Sequence, residues 1–403
     1  MAIQTTSNLS NSIRAQYVEV YQGAARVARL YDQLAMPVPG LSMEQATNGS
    51  SVEVRYLSSM APGTTTISQT ADVVPQTLVD ATGTVTPTSR WGALQWAEAV
   101  DIQAFTNYGE ERFRKLGENQ VETLEILARD AATQGSWVER YTTRDALDAG
   151  TPAHRASDSD FSLMQGLLAS LKVEPFVNED GSYQMWGAIM HPWVFHDIRE
   201  SGNVDAIGTY QDMGIHLNYE IAQIGKFRLV ESPFAKVFGG AGADCTAGTV
   251  ATTLSSAAAR LDTTIVTTAN VASSIAYGKL WTIGTEETTS TNYPDNERIK
   301  VHSATTYTLT ISGEGENGGL KYAHAAGAAV RNADSVYTII FGGPFSMAKV
   351  FVPEIGEFGQ VVGPKEAGIL EQFTHIGWKW YGGYTILVQR NILRKEVSVS
   401  YEH

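Results

Sequence analysis

Tyr108–Gly135 reads YGEERFRKLGENQVETLEILARDAATQG, and this stretch decides how the rest of the chain is interpreted. Phe113, Leu116, Leu124, Leu127 and Ala131 fall near helical spacing, and Val121 and Ala128 widen the apolar stripe. Asn107 suits an N-cap, Glu110 and Glu111 suit the positive end of the helix dipole, and Gly135 is a natural stop. An unbroken helix of this length spans roughly 39 Å. Gly117 weakens it by about 1 kcal/mol relative to Ala, so a bend is allowed there.

On the N-terminal side, 51–100 carries an anomaly. Val52, Val54 and Tyr56 alternate with polar residues and predict a strand; Trp91, Leu94 and Trp96 predict a return strand over about 90–100. Between them lies MAPGTTTISQTADVVPQTLVDATGTVTPTS (Met60–Ser89), rich in Thr, sparse in charge and short of large apolar groups. A two-stranded hairpin alone is marginal in water, so this arm is either disordered or completed by another molecule, and its high β-branched content with sparse charge favours completion. Further upstream, Ile13, Tyr17, Val20, Tyr21, Ala24, Val27, Leu30 and Leu34 predict a helix that Pro37 and Pro39 end.

Downstream, a loop over 136–158 leads to a second helix, capped by Asp158 or Ser159 and striped by Phe161, Met164, Leu168 and Leu171. Tyr183–Met190 predicts a buried strand, His191–Pro192 a break, and Trp193–Glu200 a third helix. Glu220 opens a turn into the strand Phe227–Glu231. From Gly239 the composition shifts to GGAGADCTAGTVATTLSSAA. Short β segments follow at Thr263–Thr267, Leu280–Ile283, Arg298–His302 and Thr306–Ile311, closed by LKYAHAAGAAV (Leu320–Val330). They predict a small antiparallel module between IGKFRLVESP and VYTIIFGG, two runs expected to be strands of one sheet. Phe373, Ile376, Trp378, Trp380 and Tyr381 precede a Gly382–Gly383 pair, and Tyr384, Ile386, Val388, Val397 and Val399 continue the alternation. These aromatics suit either a core or an interface.

Net charge is −14, from 43 acidic and 29 basic residues among 403. No run of Lys and Arg is longer than a pair such as Arg394–Lys395, which disfavours specific nucleic-acid binding. The single cysteine, Cys245, excludes an intrachain disulfide and suits a reducing compartment. The opening residues do not read as a signal peptide, and no apolar run reaches bilayer-spanning length.

Chemistry is equally sparse. His191 and His196 are five apart across a proline and do not form the paired face of a zinc helix. Asp158 and Asp160 begin like a calcium loop, without its glycine or closing glutamate. Gly239–Gly248 lacks the GK[ST] of a phosphate cradle, and Cys245 has no local partner to lower its pKa. The expectation is a non-enzyme with no catalytic, cofactor-binding or metal residues and no cofactor.

Five runs occur in a telling order: LGENQVETLEILARDAATQG (116–135), YQMWGAIMHPWVFHDIR (183–199), EIAQIGKFRLVESP (220–233), VYTIIFGGPFSMAKV (336–350) and QFTHIGWKWYGGYTILVQRNILRKEVS (372–398). Together they resemble the major capsid proteins of tailed bacteriophages of the N-four type. The resemblance implies an α+β chain with the Hong Kong 97-type capsid fold. In its terms, 1–50 is an N-terminal arm, 51–100 the extended β-hairpin loop, and 101–158 the spine helix with part of the peripheral domain. It makes 159–239 and 334–384 the axial domain, 240–333 an inserted β-rich domain, and 385–403 the C-terminal peripheral strands. The implied function is a head protein that self-assembles into hexamers and pentamers of an icosahedral shell around double-stranded DNA. The implied partners are copies of itself in its own and neighbouring capsomers, then scaffolding, portal and decoration proteins. DNA would be enclosed without sequence-specific binding, and no membrane is involved. The implied location is the virion, after assembly in the host bacterial cytoplasm. Some proteins of this fold form an isopeptide crosslink between subunits; no residue here is assigned to one. Two rivals are an encapsulin-like nanocompartment shell and an α/β enzyme with a β appendage.

Overall fold

The computed structural model describes residues 30–39, 51–57, 60, 75, 77–78, 80–97, 109–142, 147, 151–177, 184–201, 205–206, 220–238, 251–271, 280–284, 297–315, 318–331, 335–344, 346–367 and 373–402. Of the expected helix over 13–34, residues 13–29 lie outside the described residues, as do the Asn107 cap, the arm over 61–74 and Cys245 with its Gly-rich run; the end of that helix, Tyr31–Leu34, is instead a short 3₁₀ turn. Described residues of Ala35–Leu124 and Met347–Leu387 form one compact unit. Those of Ala28–Leu34, Glu125–Ser346 and Val388–His403 form another.

The central helix, α1, is continuous over Gly109–Ala132, 24 residues and about 36 Å of rise. Phe113, Leu116, Val121, Leu124, Ala128 and Ala131 are buried at helical spacing, as the stripe predicts. Leu127 is only half-buried, and the neighbouring Glu125 is fully buried in its stead.

In the first unit, a five-stranded sheet is built on one long strand, Phe373–Ile386. Gly382 and Gly383 do not interrupt that strand. Met347–Phe351 pairs along the glycines, and a side chain at Gly382 would lie 2.4 Å from the Val350 carbonyl oxygen. Ala35–Pro39 (β1) extends the sheet parallel to Met347–Phe351, and Gln360–Ala367 pairs antiparallel to Phe373–Ile386. The hairpin differs from expectation. Val52–Leu57 (β2) pairs with Asp80–Val85 (β3), not with the Trp-rich segment. Thr88–Ala97 (β4) instead runs antiparallel along Phe373–Gly382 over ten paired residues. Trp96 and Leu94 find a continuous aromatic partner strand there, which a short Val/Tyr strand does not offer.

In the second unit, a nine-stranded mixed sheet follows the order Val138–Arg140, Ile392–Val397, Val336–Gly342, Gln184–Met190, Phe227–Glu231, Glu220–Ile224, Asp205–Ala206, with Val237–Phe238 and Phe176–Val177 as side branches. Val336–Gly342 is buried at every position, which accounts for its unbroken apolar run. Helices α2 (Asp158–Ser170) and α3 (Pro192–Glu200) contribute Phe161, Met164, Leu168, Val194 and Ile198 to a core with Phe227, Leu229, Ile339 and Phe341. The α2 cap is Ser157, one residue before the expected pair, and it forms a capping box with Asp160. Glu220–Ile224 is a strand, not a turn; the turn is Gly225–Lys226, where Gly225 adopts φ +57°. Val138–Arg140, expected within a loop, pairs parallel to Ile392–Val397.

A separate six-stranded antiparallel sheet collects Ala251–Thr253, Ala329–Arg331, Leu280–Gly284, Glu297–Ala304, Thr308–Gly313 and Thr264–Val266. It covers its own core of Leu254, Ile265, Trp281, Ile283, Ile299, Val301, Leu309, Ile311, Leu320 and Val330. The strands flanking it, Phe227–Glu231 and Val336–Gly342, do share a sheet, on either side of Gln184–Met190. The expected boundary at 384/385 does not follow the strands. Met347–Ile386 belongs to the five-stranded sheet and Ile392–Val397 to the nine-stranded one, because the chain changes sheets after Gly342 and again after Ile386.

Candidate interaction surface

Side chains alternate along β4, so Gly92 and Trp96 face one way and Trp91, Ala93 and Gln95 the other. The first face packs on α1. A Cβ at Gly92 would lie 2.6 Å from both Asn119 Oδ1 and Trp378 Nε1, and Trp378 Nε1 donates to Asn119 Oδ1 at 3.2 Å. The Arg112 guanidinium stacks 4.4 Å from the Trp96 ring. Trp378 and Trp380 are buried, with Trp380 Nε1 donating to the Glu357 carbonyl at 3.1 Å. These two tryptophans are core residues.

The opposite face is open. Trp91 is 73% exposed and Phe373 40%, with Ala93, Gln95 and Lys379 exposed around them. Among the described residues β4 pairs only with Phe373–Ile386, which leaves its other edge unpaired. That edge carries one charged side chain, Arg90. A nearly uncharged open edge beside an exposed tryptophan is a feature that monomeric proteins avoid.

The hairpin β2–β3 is rooted in the same unit. Val85 and Pro87 are buried, and a Cβ at Gly383 would meet Val85 Cγ1 at 2.8 Å. Away from the root the hairpin is exposed: Glu53, Thr82 and Thr84 face solvent, as do Met60 and Leu78 in the connecting segment. Sequence reasoning places the Val52 strand and the aromatic strand but pairs the two with each other, and it treats Trp91 and Trp96 alike. The two-residue alternation, counted from Gly92, would have parted odd from even positions; which set faces α1 was not readable.

The chemistry-bearing residues do not converge. His191 caps α3, its Nδ1 accepting from the Trp193 N–H at 3.2 Å, and its Nε2 lies 3.2 Å from Arg298 Nη2. Burial and the Arg298 charge push its pKa down to about 2, so the ring is neutral. His196 is exposed, one turn from Glu200 and beside the Trp193 ring. Asp158 starts α2. Asp160 is buried, accepts from the Ser157 N–H at 2.8 Å and from the Tyr141 hydroxyl, and pairs with Lys395 at 3.0 Å. Arg394 donates to the Thr133 carbonyl from within the nine-stranded sheet. The basic pair is therefore internal structure, not a polyanion surface. Among the described residues no three metal-ligating side chains cluster, and no helix is long and apolar enough to cross a membrane.

No family model matches the chain, and no curated protein matches it. Solved structures do. A chain of the cyanophage Pam1 capsid asymmetric unit aligns with a TM-score of 0.51 at 10% identity, covering 93% of this chain and 93% of that one. A chain of the capsid of Ralstonia phage GP4 aligns with a TM-score of 0.51 at 9% identity, covering 87% of this chain and 84% of that one. The fold is that of phage capsid chains. At these identities the likeness concerns the fold alone. A chain of the holo-SrpI encapsulin complex from Synechococcus elongatus aligns over 94% of this chain and 90% of that one, at 10% identity and a TM-score of 0.41.

Proposed function

We propose that this chain is the major head protein of a tailed bacteriophage of the N-four type, the subunit of an icosahedral shell that encloses double-stranded DNA. The observation that carries this reading is the exposed Trp91 face with its open edge and exposed hairpin, on a fold shared with phage capsid chains. Such a face gains free energy only when another molecule covers it. In a shell that molecule is a second copy, and hexamers and pentamers close because each chain offers several heterologous patches. Contacts that are weak one at a time become durable when many are satisfied together.

In this reading the first unit supplies the extended loop and peripheral domain, including Met347–Leu387. The nine-stranded sheet supplies the axial domain, and the six-stranded sheet is a displayed insertion. The chain carries out no reaction and needs no cofactor. Its partners are copies of itself, scaffolding, portal and decoration proteins, and it assembles in the host bacterial cytoplasm before residing in the virion. The net charge of −14 suits a wall along which packed DNA slides without specific contacts.

Electron microscopy of the purified full chain tests this directly. Closed shells, and DNA inside shells recovered from infected cells, are expected. Shells filled with a copurifying enzyme would replace the phage reading by a nanocompartment, and a discrete small oligomer without shells would sink both.

A further inference from the structure

Glu125 is a carboxylate in the middle of α1 with no accessible surface. Its Oε1 accepts from the Leu30 and Tyr31 N–H groups, both at 3.0 Å, and the Asp32 N–H acts on it as well. These are the opening donors of a short 3₁₀ turn, Tyr31–Leu34, in which Tyr31 and Leu34 are themselves buried. One side chain of α1 thus fastens the segment that leads into β1. The other oxygen, Oε2, is buried and meets no hydrogen-bond partner among the described residues, and neither does the Tyr31 hydroxyl. An unpartnered hydroxyl of a neutral acid costs about 1–3 kcal/mol. A buried anion without a cation costs several. The neutral form is therefore the one this site holds best.

The surrounding charges agree with that. On its own helix, Arg129 is bound to Asp130 at 2.7 Å and to the Phe234 carbonyl at 3.1 Å. From the 3₁₀ turn, Asp32 adds a negative charge and Tyr31 a phenol whose own pKa is raised, by burial first and then by Glu125. Burial, only partly offset by the backbone N–H groups of Tyr31, Leu30 and Asp32, pushes the Glu125 carboxyl up to about 7.

We propose that Glu125 is a proton-operated latch: with its carboxyl neutral it holds Leu30–Leu34 on α1, and with its carboxyl ionised that grip loosens. The direction follows from linkage. A carboxyl whose pKa is higher in the closed state than in the open one binds its proton more tightly when closed. The stabilisation is complete below the open-state value of 4.5 and is lost as pH rises through about 7. With those two values, opening becomes about 30-fold more favourable between pH 5.5 and pH 8.

Hydrogen exchange in the full-length chain tests this, read by mass spectrometry on peptides spanning 30–36 and corrected for the intrinsic pH dependence of exchange. Protection is expected to fall by about 30-fold over that range in the wild type and to stay flat in Glu125→Gln, a neutral isostere that keeps the accepting oxygen. A wild-type change below threefold, or an equal slope in Glu125→Gln, would overturn the latch. Should Glu125→Gln not fold, carbon-13 NMR titration of the wild-type Glu125 carboxyl decides: a midpoint above 5.5 supports the proposal and one below it refutes it.

Discussion

Replacing Trp91 by Thr separates assembly from folding. With 73% of its surface open, and about 250 Å² available on an aromatic of this size, Trp91 leaves about 180 Å² for a partner. At about 25 cal/mol per Å² that is worth about 4.5 kcal/mol if wholly covered and about 2 kcal/mol if half covered. Thr is β-branched and retains the strand preference of β4, while a side chain that is already exposed contributes little to folding. The isolated subunit should therefore keep its stability to within about 0.5 kcal/mol. The threshold concentration for shell formation should rise by at least about 30-fold, the equivalent of 2 kcal/mol. Light scattering against protein concentration, with electron microscopy of the products, measures the second quantity, and urea unfolding the first. Shells forming at an unchanged threshold would mean that the Trp91 face stays uncovered, and the proposed function would lose the observation it rests on. A variant that no longer folds would show instead that Trp91 belongs to the core.

Gly92→Ala places a methyl 2.6 Å from Asn119 Oδ1 and Trp378 Nε1, and should cost about 1–3 kcal/mol by prising β4 from α1; calorimetry reads this as a lowered Tm. Asp160→Ala strands Lys395, a cation with 4% of its side chain exposed, and uncaps α2; a loss of about 3–5 kcal/mol is expected in urea titration, and a loss under 1 kcal/mol would show the pair to be dispensable. Replacing 58–79 by a short Gly-containing turn preserves β2, β3 and β4, so a folded subunit without shells is expected on electron microscopy. Normal shells would show that the arm is not needed for assembly.

Much of this protein is legible from local pattern. The helical stripe from Phe113 to Ala131 specifies α1, and His191–Pro192 specifies the start of α3. Ile and Val alternation gives the strands around Leu280, Arg298 and Thr308. In each case the signal is the repeat of a single element, set by 3.6 or 2 residues, and it needs no partner to be read. Glu220–Ile224 is not legible as a strand because its alternation is weak, and its strand character comes from pairing with Phe227–Glu231.

The sequence by itself determined the helices α1, α2 and α3 and the strands whose alternation is strong, and that Met60–Ser89 is short of large apolar groups. Only the tertiary structure decided that β3, not β4, returns along β2, and that Trp96 turns inward while Trp91 stays in solvent. It alone buried Glu125 against the N–H groups of Leu30 and Tyr31, 95 and 94 residues away. The reason is that strand pairing and burial are settled between segments distant in the chain. A residue's own neighbours set its period, and the partner across the gap sets which side of that period meets water.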